Sequence, residues 1–150
     1  MALQYKYLER PKDVDTCIKL LHDDIIPLLK EHWDRDGMPF YKRPFELNVE
    51  AFARLWVTQG ISIVIAYDNG TAVGIFVGVR FTPMNFGVQV LQVENCYGRT
   101  PEIESGLYNY IKSIASILGF EELWVSTDTN SSPDCFKQIS KSEIVRYSRD

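Results

Sequence analysis

The sequence predicts one α/β (α+β) domain: a mixed, mostly antiparallel twisted sheet of about six strands with helices on both faces. Three observations lead there. The stretch from Ile61 to Glu94 is rich in β-branched and aromatic residues. Two turn signals cut it, Asp68-Asn69-Gly70 and Pro83-Met84-Asn85, so it reads as an antiparallel meander. Helical patterns stand before and after it. The long amphipathic pattern that follows leads into another strand, which requires a crossover and hence one parallel pair.

Taken in order, Gln4 to Leu8 alternates enough for a first strand. Pro11 opens a helical pattern with Val14, Cys17, Ile18, Leu21 and Ile25 on one face. Pro27 predicts a break at Ile26, because proline lacks a donor and disfavours helix at the residue before it. A second short helix carries Leu28, Leu29 and Trp33, and Asp34 to Arg43, punctuated by Gly37 and Pro39, reads as a loop. Asn48 suits the N-cap of a helix over Val49 to Gln59, with Gly60 closing it. The meander strands are expected at Ile61–Tyr67, Ala72–Phe81 and Gly87–Glu94. Thr100 as N-cap and Pro101 at N1 begin the strongest helix. Its apolar stripe is Ile103, Leu107, Ile111, Ile114 and Leu118, and Gly119 ends it. A strand over Glu121–Ser126, a loop and short helix over Asn130–Ile139 and a strand over Glu143–Tyr147 complete the chain. With no repeat, linker or low-complexity stretch, residues 1–150 form one domain.

Composition narrows the class. The 150 residues are 45% apolar, 24% charged and 13% aromatic with net charge −4, which excludes intrinsic disorder and fits a soluble globular protein. The sixteen basic residues are scattered, and the densest group is the pair Lys42 and Arg43, so nucleic acid is not expected as a partner. An acidic surface suits a cationic substrate such as an amine. Cys17, Cys96 and Cys135 form no CxxC pattern, and their odd number predicts reduced thiols. The first ten residues are polar and aromatic rather than a signal peptide, and no apolar run is long enough for a bilayer. The expectation is a cytoplasmic protein with no membrane contact.

Several local features share an order that is informative. Glu31-His32-Trp33 follows paired helices; Asp68-Asn69-Gly70 precedes Val73-Gly74; Gly119-Phe120 precedes Leu123; and Asn130 follows the next strand. In this order they resemble the GNAT superfamily of acyl-CoA-dependent N-acetyltransferases across nearly the whole chain. The Glu31-His32-Trp33 region is similar to phage-encoded members, which implies a host cytoplasm or a virion as location.

The resemblance implies a cofactor, acetyl-CoA, bound at the turn between the third meander strand and the long helix. The family pattern there is a basic residue, two variable positions, Gly, one variable position, then Gly or Ala. Backbone N–H groups at a helix N-terminus meet the pyrophosphate, and absent side chains let it approach. By this likeness the cofactor-binding candidates are Val93, Gly98, Arg99, Thr100, Ser105, Gly106 and Asn130. Arg99 stands for the basic residue and Ser105 or Gly106 for the last small one. The middle glycine is replaced by Ile103 or Glu104, Pro101 removes a donor, and Glu102 and Glu104 bring negative charge to the turn. Glu94 falls where some members keep a general base; the alternative is a strand-end carboxylate, solvated or paired. Counting from Asn130, Phe136 matches an aromatic position and Lys137 falls where the family often has its general-acid Tyr.

Other motifs are set aside. His32-Trp33-Asp34-Arg35-Asp36-Gly37 resembles the start of a calcium loop, but Arg43 stands at the twelfth position, where a bidentate Glu is needed. His22 and His32 are read as polar helix-face residues, and no metal site is expected. Trp33, Phe40, Tyr41 and Phe45 cluster around one loop, either covering the core or forming a substrate or partner surface. Two functions stay open. One is a catalytically degenerate GNAT-fold protein kept as a binding or structural module, with a protein partner or a second copy. The other is an active N-acetyltransferase using acetyl-CoA on an amine of a small molecule or protein.

Overall fold

The computed structural model describes residues 2–84, 87–127 and 143–148, with backbone only at 40, 126–127 and 143–148. Among the described residues, six strands form one sheet in chain order: β1 (Leu3–Leu8), β2 (Ile61–Asp68), β3 (Thr71–Phe81), β4 (Val90–Gly98), β5 (Glu122–Thr127) and β6 (Glu143–Ser148). Every neighbouring pair is antiparallel except β4 with β5. The expected fold class is therefore the observed one.

Alternation along β2 explains why the sheet needs helices on both faces. Ile61, Ile63 and Ile65 pack with Ile75 and Val77 against Cys17, Leu21, Ile25, Leu28, Leu29, Ala53 and Trp56. Val64 and Ala66 point the other way, into a core with Phe76, Leu91, Ile103, Leu107, Ile111, Leu118 and Phe120. Period-two side chains buried on both sides give the unbroken buried run from Ile61 to Ala66. The first core is roofed by α1 (Val14–Leu20), α2 (Ile26–His32) and α4 (Val49–Val57), the second by α5 (Pro101–Ser113) and α6 (Ala115–Leu118). Asn48 caps α4 as expected, its side chain accepting from the Ala51 N–H at 3.0 Å. Gly119, at φ 79°, closes α6 in the left-handed region that glycine tolerates.

The segment before α4 corrects the sequence reading. The helix is not broken at Ile26, and much of the expected loop from Asp34 to Arg43 is helical. Wide π turns at Leu21–Ile25 and Trp33–Gly37 join α1 to α2 and α2 to α3 (Met38–Tyr41). Each turn ends two residues before a proline, Pro27 or Pro39. In an α-helix the proline ring clashes with the carbonyl four residues back. A widened turn shifts that carbonyl, and the Ile26 and Met38 N–H groups bond five residues back, to Leu21 and Trp33. Lys42, at φ 56°, finally ends the arm.

Two further boundaries move. β4 begins at Val90 and extends past Glu94 to Gly98. The helix after it bends at Ile114, where φ −106° and ψ 11° separate α5 from α6. No helix among the described residues is long and apolar enough to cross a membrane.

Candidate functional site

β4 determines the site in two ways. Its parallel pairing with β5 ends at Val93–Val125, while its antiparallel pairing with β3 continues to Gly98–Gly74. Beyond Val93, then, β4 and β5 are no longer a ladder. In addition, Val77 pairs with Asn95 and Gly78 with Val93, so Glu94 is an extra residue, a β-bulge. A bulge reverses the side-chain parity that follows it. Leu91 and Val93 face the α5 core, whereas Tyr97 packs with the α1–α2 core and Asn95 meets His32.

That reversal points β4 at the helical arm. The Tyr97 ring carries two arm residues one turn apart: His32 stacks on it at 5.5 Å, and the Arg35 guanidinium carbon lies 4.7 Å from its centroid. His32 also reaches Asn95 Oδ1 from Nδ1 at 3.0 Å and Asp36 Oδ2 from Nε2 at 3.3 Å. Burial works against ionisation of Asp36, but hydrogen bonds from His32 and Arg35 outweigh it and hold its pKa below the ordinary carboxylate value.

The central group is Glu104, whose side chain is 3% exposed. One carboxylate oxygen lies 2.7 Å from Arg35 Nη2 and accepts the Gly98 N–H at 3.3 Å. Arg35 Nη1 donates in turn to the Gly98 carbonyl at 3.3 Å. Gly98 is required for this approach, since a Cβ there would lie 2.7 Å from the Glu104 nitrogen and from Ile103 Cβ. The sequence places Glu102 and Glu104 together at the start of the helix, but the structure separates them. Glu102 is exposed, and Glu104 is locked inward.

Arg99 pairs with Glu31, at 3.2 Å from both Nε and Nη2. Thr100 caps α5, its hydroxyl accepting from the Ile103 N–H at 3.3 Å, and its carbonyl accepts the Glu104 N–H at 3.2 Å. The Arg99 N–H donates to the Val73 carbonyl at 3.1 Å. In the turn, Gly98, Arg99, Ile103 and Glu104 therefore spend their N–H groups internally, and Pro101 has none. Val93 is part of the α5 core, and Ser105 is exposed on α5. Gly106 gives space to Tyr5 of β1, whose hydroxyl a Cβ at that position would strike. Glu94 is exposed over the residue as a whole, yet loss of solvent around its carboxyl raises its pKa above the ordinary glutamate value. Asn130, Phe136, Lys137 and Cys135 lie outside the described residues.

The buried thiols are engaged. Cys17 donates to the Ala53 carbonyl at 3.4 Å, and burial pushes its pKa up to about 11, so it is a poor nucleophile. Cys96 donates to the Glu104 carbonyl at 3.6 Å. No group of three metal-ligating side chains occurs among the described residues. Sequence reasoning missed Arg35, Asn95 and Tyr97 as site residues. For Arg35 the local signal was its helical spacing from His32, hidden by reading Asp34 to Arg43 as a loop; Asn95 and Tyr97 carried none, because their facing depends on the bulge.

A search of protein-family models finds no match to the sequence, and a search of curated proteins finds none either. Solved structures do match in shape. A ribosomal-protein-alanine N-acetyltransferase from Brucella melitensis biovar Abortus 2308 superposes with TM-score 0.59 at 17% identity, over 85% of this chain and 81% of that one. An aminoglycoside acetyltransferase from an uncultured soil metagenomic sample, in complex with sisomicin, gives TM-score 0.61 at 15% identity, over 84% and 78%. A predicted acetyltransferase with acetyl-CoA from Clostridium acetobutylicum gives TM-score 0.56 at 12% identity, over 88% and 85%. At these identities the likeness concerns architecture. The chain has the fold of the GNAT acetyltransferases.

Proposed function

We propose that this chain is a GNAT-fold protein that does not use acetyl-CoA and serves as a binding or structural module. The observation that carries the reading is the buried Glu104 carboxylate, 2.7 Å from Arg35 and bonded to the Gly98 N–H. A pyrophosphate at this turn needs backbone donors and cations facing outward. Here an internal carboxylate already takes one such donor and one such cation, and Glu31 engages Arg99, the basic residue the resemblance assigns to the cofactor. A second anion beside Glu104 is repelled in a poorly solvated place. These residues do not fit the cofactor.

A second reading, an active N-acetyltransferase, is favoured by one observation: Glu94 sits at the bulge with a carboxyl pKa raised by burial, as suits a general base. Titration with acetyl-CoA or CoA, followed by thermal melting, separates the two. A ligand of the native state present at a hundred times its Kd stabilises by about 2.7 kcal/mol. No change in melting temperature at millimolar ligand is expected. A clear rise that Arg99→Ala abolishes overturns the module reading.

A further inference from the structure

Beyond Arg35, the end of the helical arm is built on aromatic stacking. The Trp33 and Tyr41 rings stack nearly flat, at 5.4 Å and 6°. The Trp33 indole donates to the Arg43 carbonyl at 2.7 Å, tying the basic pair to the aromatic stack. Gly37 makes this possible, because a Cβ there would run into the Trp33 ring. Lys42, in the left-handed region at φ 56°, turns the chain abruptly after Tyr41. Tyr41 is 57% exposed and Met38 40%. The result is a pre-ordered surface that exposes Met38 and Tyr41 beside two cations, Lys42 and Arg43.

Charge decides what this surface fits. The chain as a whole is −4, yet the tip carries its densest basic pair. The acidic residues that precede the tip are engaged elsewhere, Asp34 with Lys30 at 2.6 Å and Asp36 with Arg35 at 2.7 Å. Glu46, exposed three residues beyond Arg43, offsets one of the two cations and leaves the tip positive. An aromatic side chain held in advance by stacking makes an effective anchor, since little entropy is lost on binding.

We propose that the Met38–Arg43 tip docks an acidic, aromatic-bearing segment of a partner protein. The partner's carboxylates face Lys42 and Arg43, and its ring lies over Met38 and Tyr41. This does not depend on whether the β4–α5 turn accepts acetyl-CoA.

The test uses the intact protein and a labelled random copolymer of glutamate and tyrosine, with polyglutamate, heparin and the protein's own self-association as comparisons. The copolymer is expected to bind, and more tightly than polyglutamate. Tyr41→Ala and the double variant Lys42→Glu/Arg43→Glu should each weaken it about tenfold, a change typical of an interface anchor. The charge variant alters only exposed side chains, so it remains informative if Tyr41→Ala disturbs folding. Absence of copolymer binding, or binding that the charge variant leaves unchanged, overturns the proposal. Equal or tighter binding of heparin also overturns it, in favour of a general polyanion patch. Self-association lost in both variants would instead make the occupant a second copy.

Discussion

Replacing Glu104 by Ala tests whether this carboxylate holds the end of β4 to the start of α5. Two of its partners set the scale of the loss. Gly98 is buried, and without an acceptor its N–H costs about 1–3 kcal/mol. Arg35 is 38% exposed and keeps Asp36 at 2.7 Å, so solvent screening limits its share to below about 1 kcal/mol. The sum is about 1–4 kcal/mol, or roughly 2–16 °C in melting temperature for a chain of this size. Glu104→Gln keeps an acceptor for Gly98 and the side-chain methylenes, and should cost only about 1 kcal/mol. Urea unfolding followed by tryptophan fluorescence measures both. If Glu104→Ala lies within about 0.5 kcal/mol of the parent, as ordinary surface changes do, the carboxylate is not holding the turn. If Gln is as damaging as Ala, charge rather than the hydrogen bond dominates. Inorganic pyrophosphate adds a second readout. It should stabilise Glu104→Ala more than the parent chain, and equal stabilisation would refute the idea that Glu104 stands in for an external anion.

Two further outcomes are expected. Gly106→Ala should destabilise by about 1–3 kcal/mol, as overpacking does, and Tyr5→Phe should recover part of that loss by removing the hydroxyl the new methyl strikes; no recovery in a melting experiment would place the strain elsewhere. Asp36 has its pKa lowered in the folded state, so it contributes stability above the ordinary aspartate value of 3.8 that disappears as pH falls through the lower folded value. Asp36→Asn should therefore flatten the acid end of the stability profile, and an unchanged acid slope in urea titrations would contradict the shift.

The sheet and its parallel pair were legible because period-two burial, turn residues and caps act over a few positions. Asn48, Thr100 and Gly119 each do locally what their residue types suggest. The helical arm was misread for an equally physical reason. Pro27 and Pro39 forbid a regular α turn, and sequence rules treat that as an end to the helix. The chain instead widens one turn before each proline and continues. The site was only partly legible. Acidic residues at the β4–α5 turn were visible, but which of them is buried depends on Arg35, sixty-nine positions away from Glu104. Nor does local patterning reveal a bulge, and without it Asn95 and Tyr97 would be assigned to the wrong face.

Glu94 joins these two difficulties, because its backbone and its carboxyl do different things. The backbone supplies the extra residue that turns Asn95 and Tyr97 toward His32 and Arg35. Deleting Glu94 restores simple alternation and drives Tyr97 toward the α5 core, where Phe76 and Leu107 already pack. The arm then loses both its stacking partner and its Asn95 contact, so deletion should be severely destabilising. Substitution should not be. The carboxyl pKa is raised by burial, so its favourable contribution exists below the ordinary glutamate value of 4.5 and is lost as pH rises through the raised value. Glu94→Gln, always neutral, should therefore be at least as stable as the parent at neutral pH, with the advantage fading in acid. Comparing the deletion and Gln variants by urea unfolding across pH separates the roles. A Gln variant less stable than the parent at pH 7 would mean that the charged carboxylate has a stabilising partner, and the desolvation account would fail. A deletion variant as stable as the parent would mean that the arm does not depend on the reversed parity of β4.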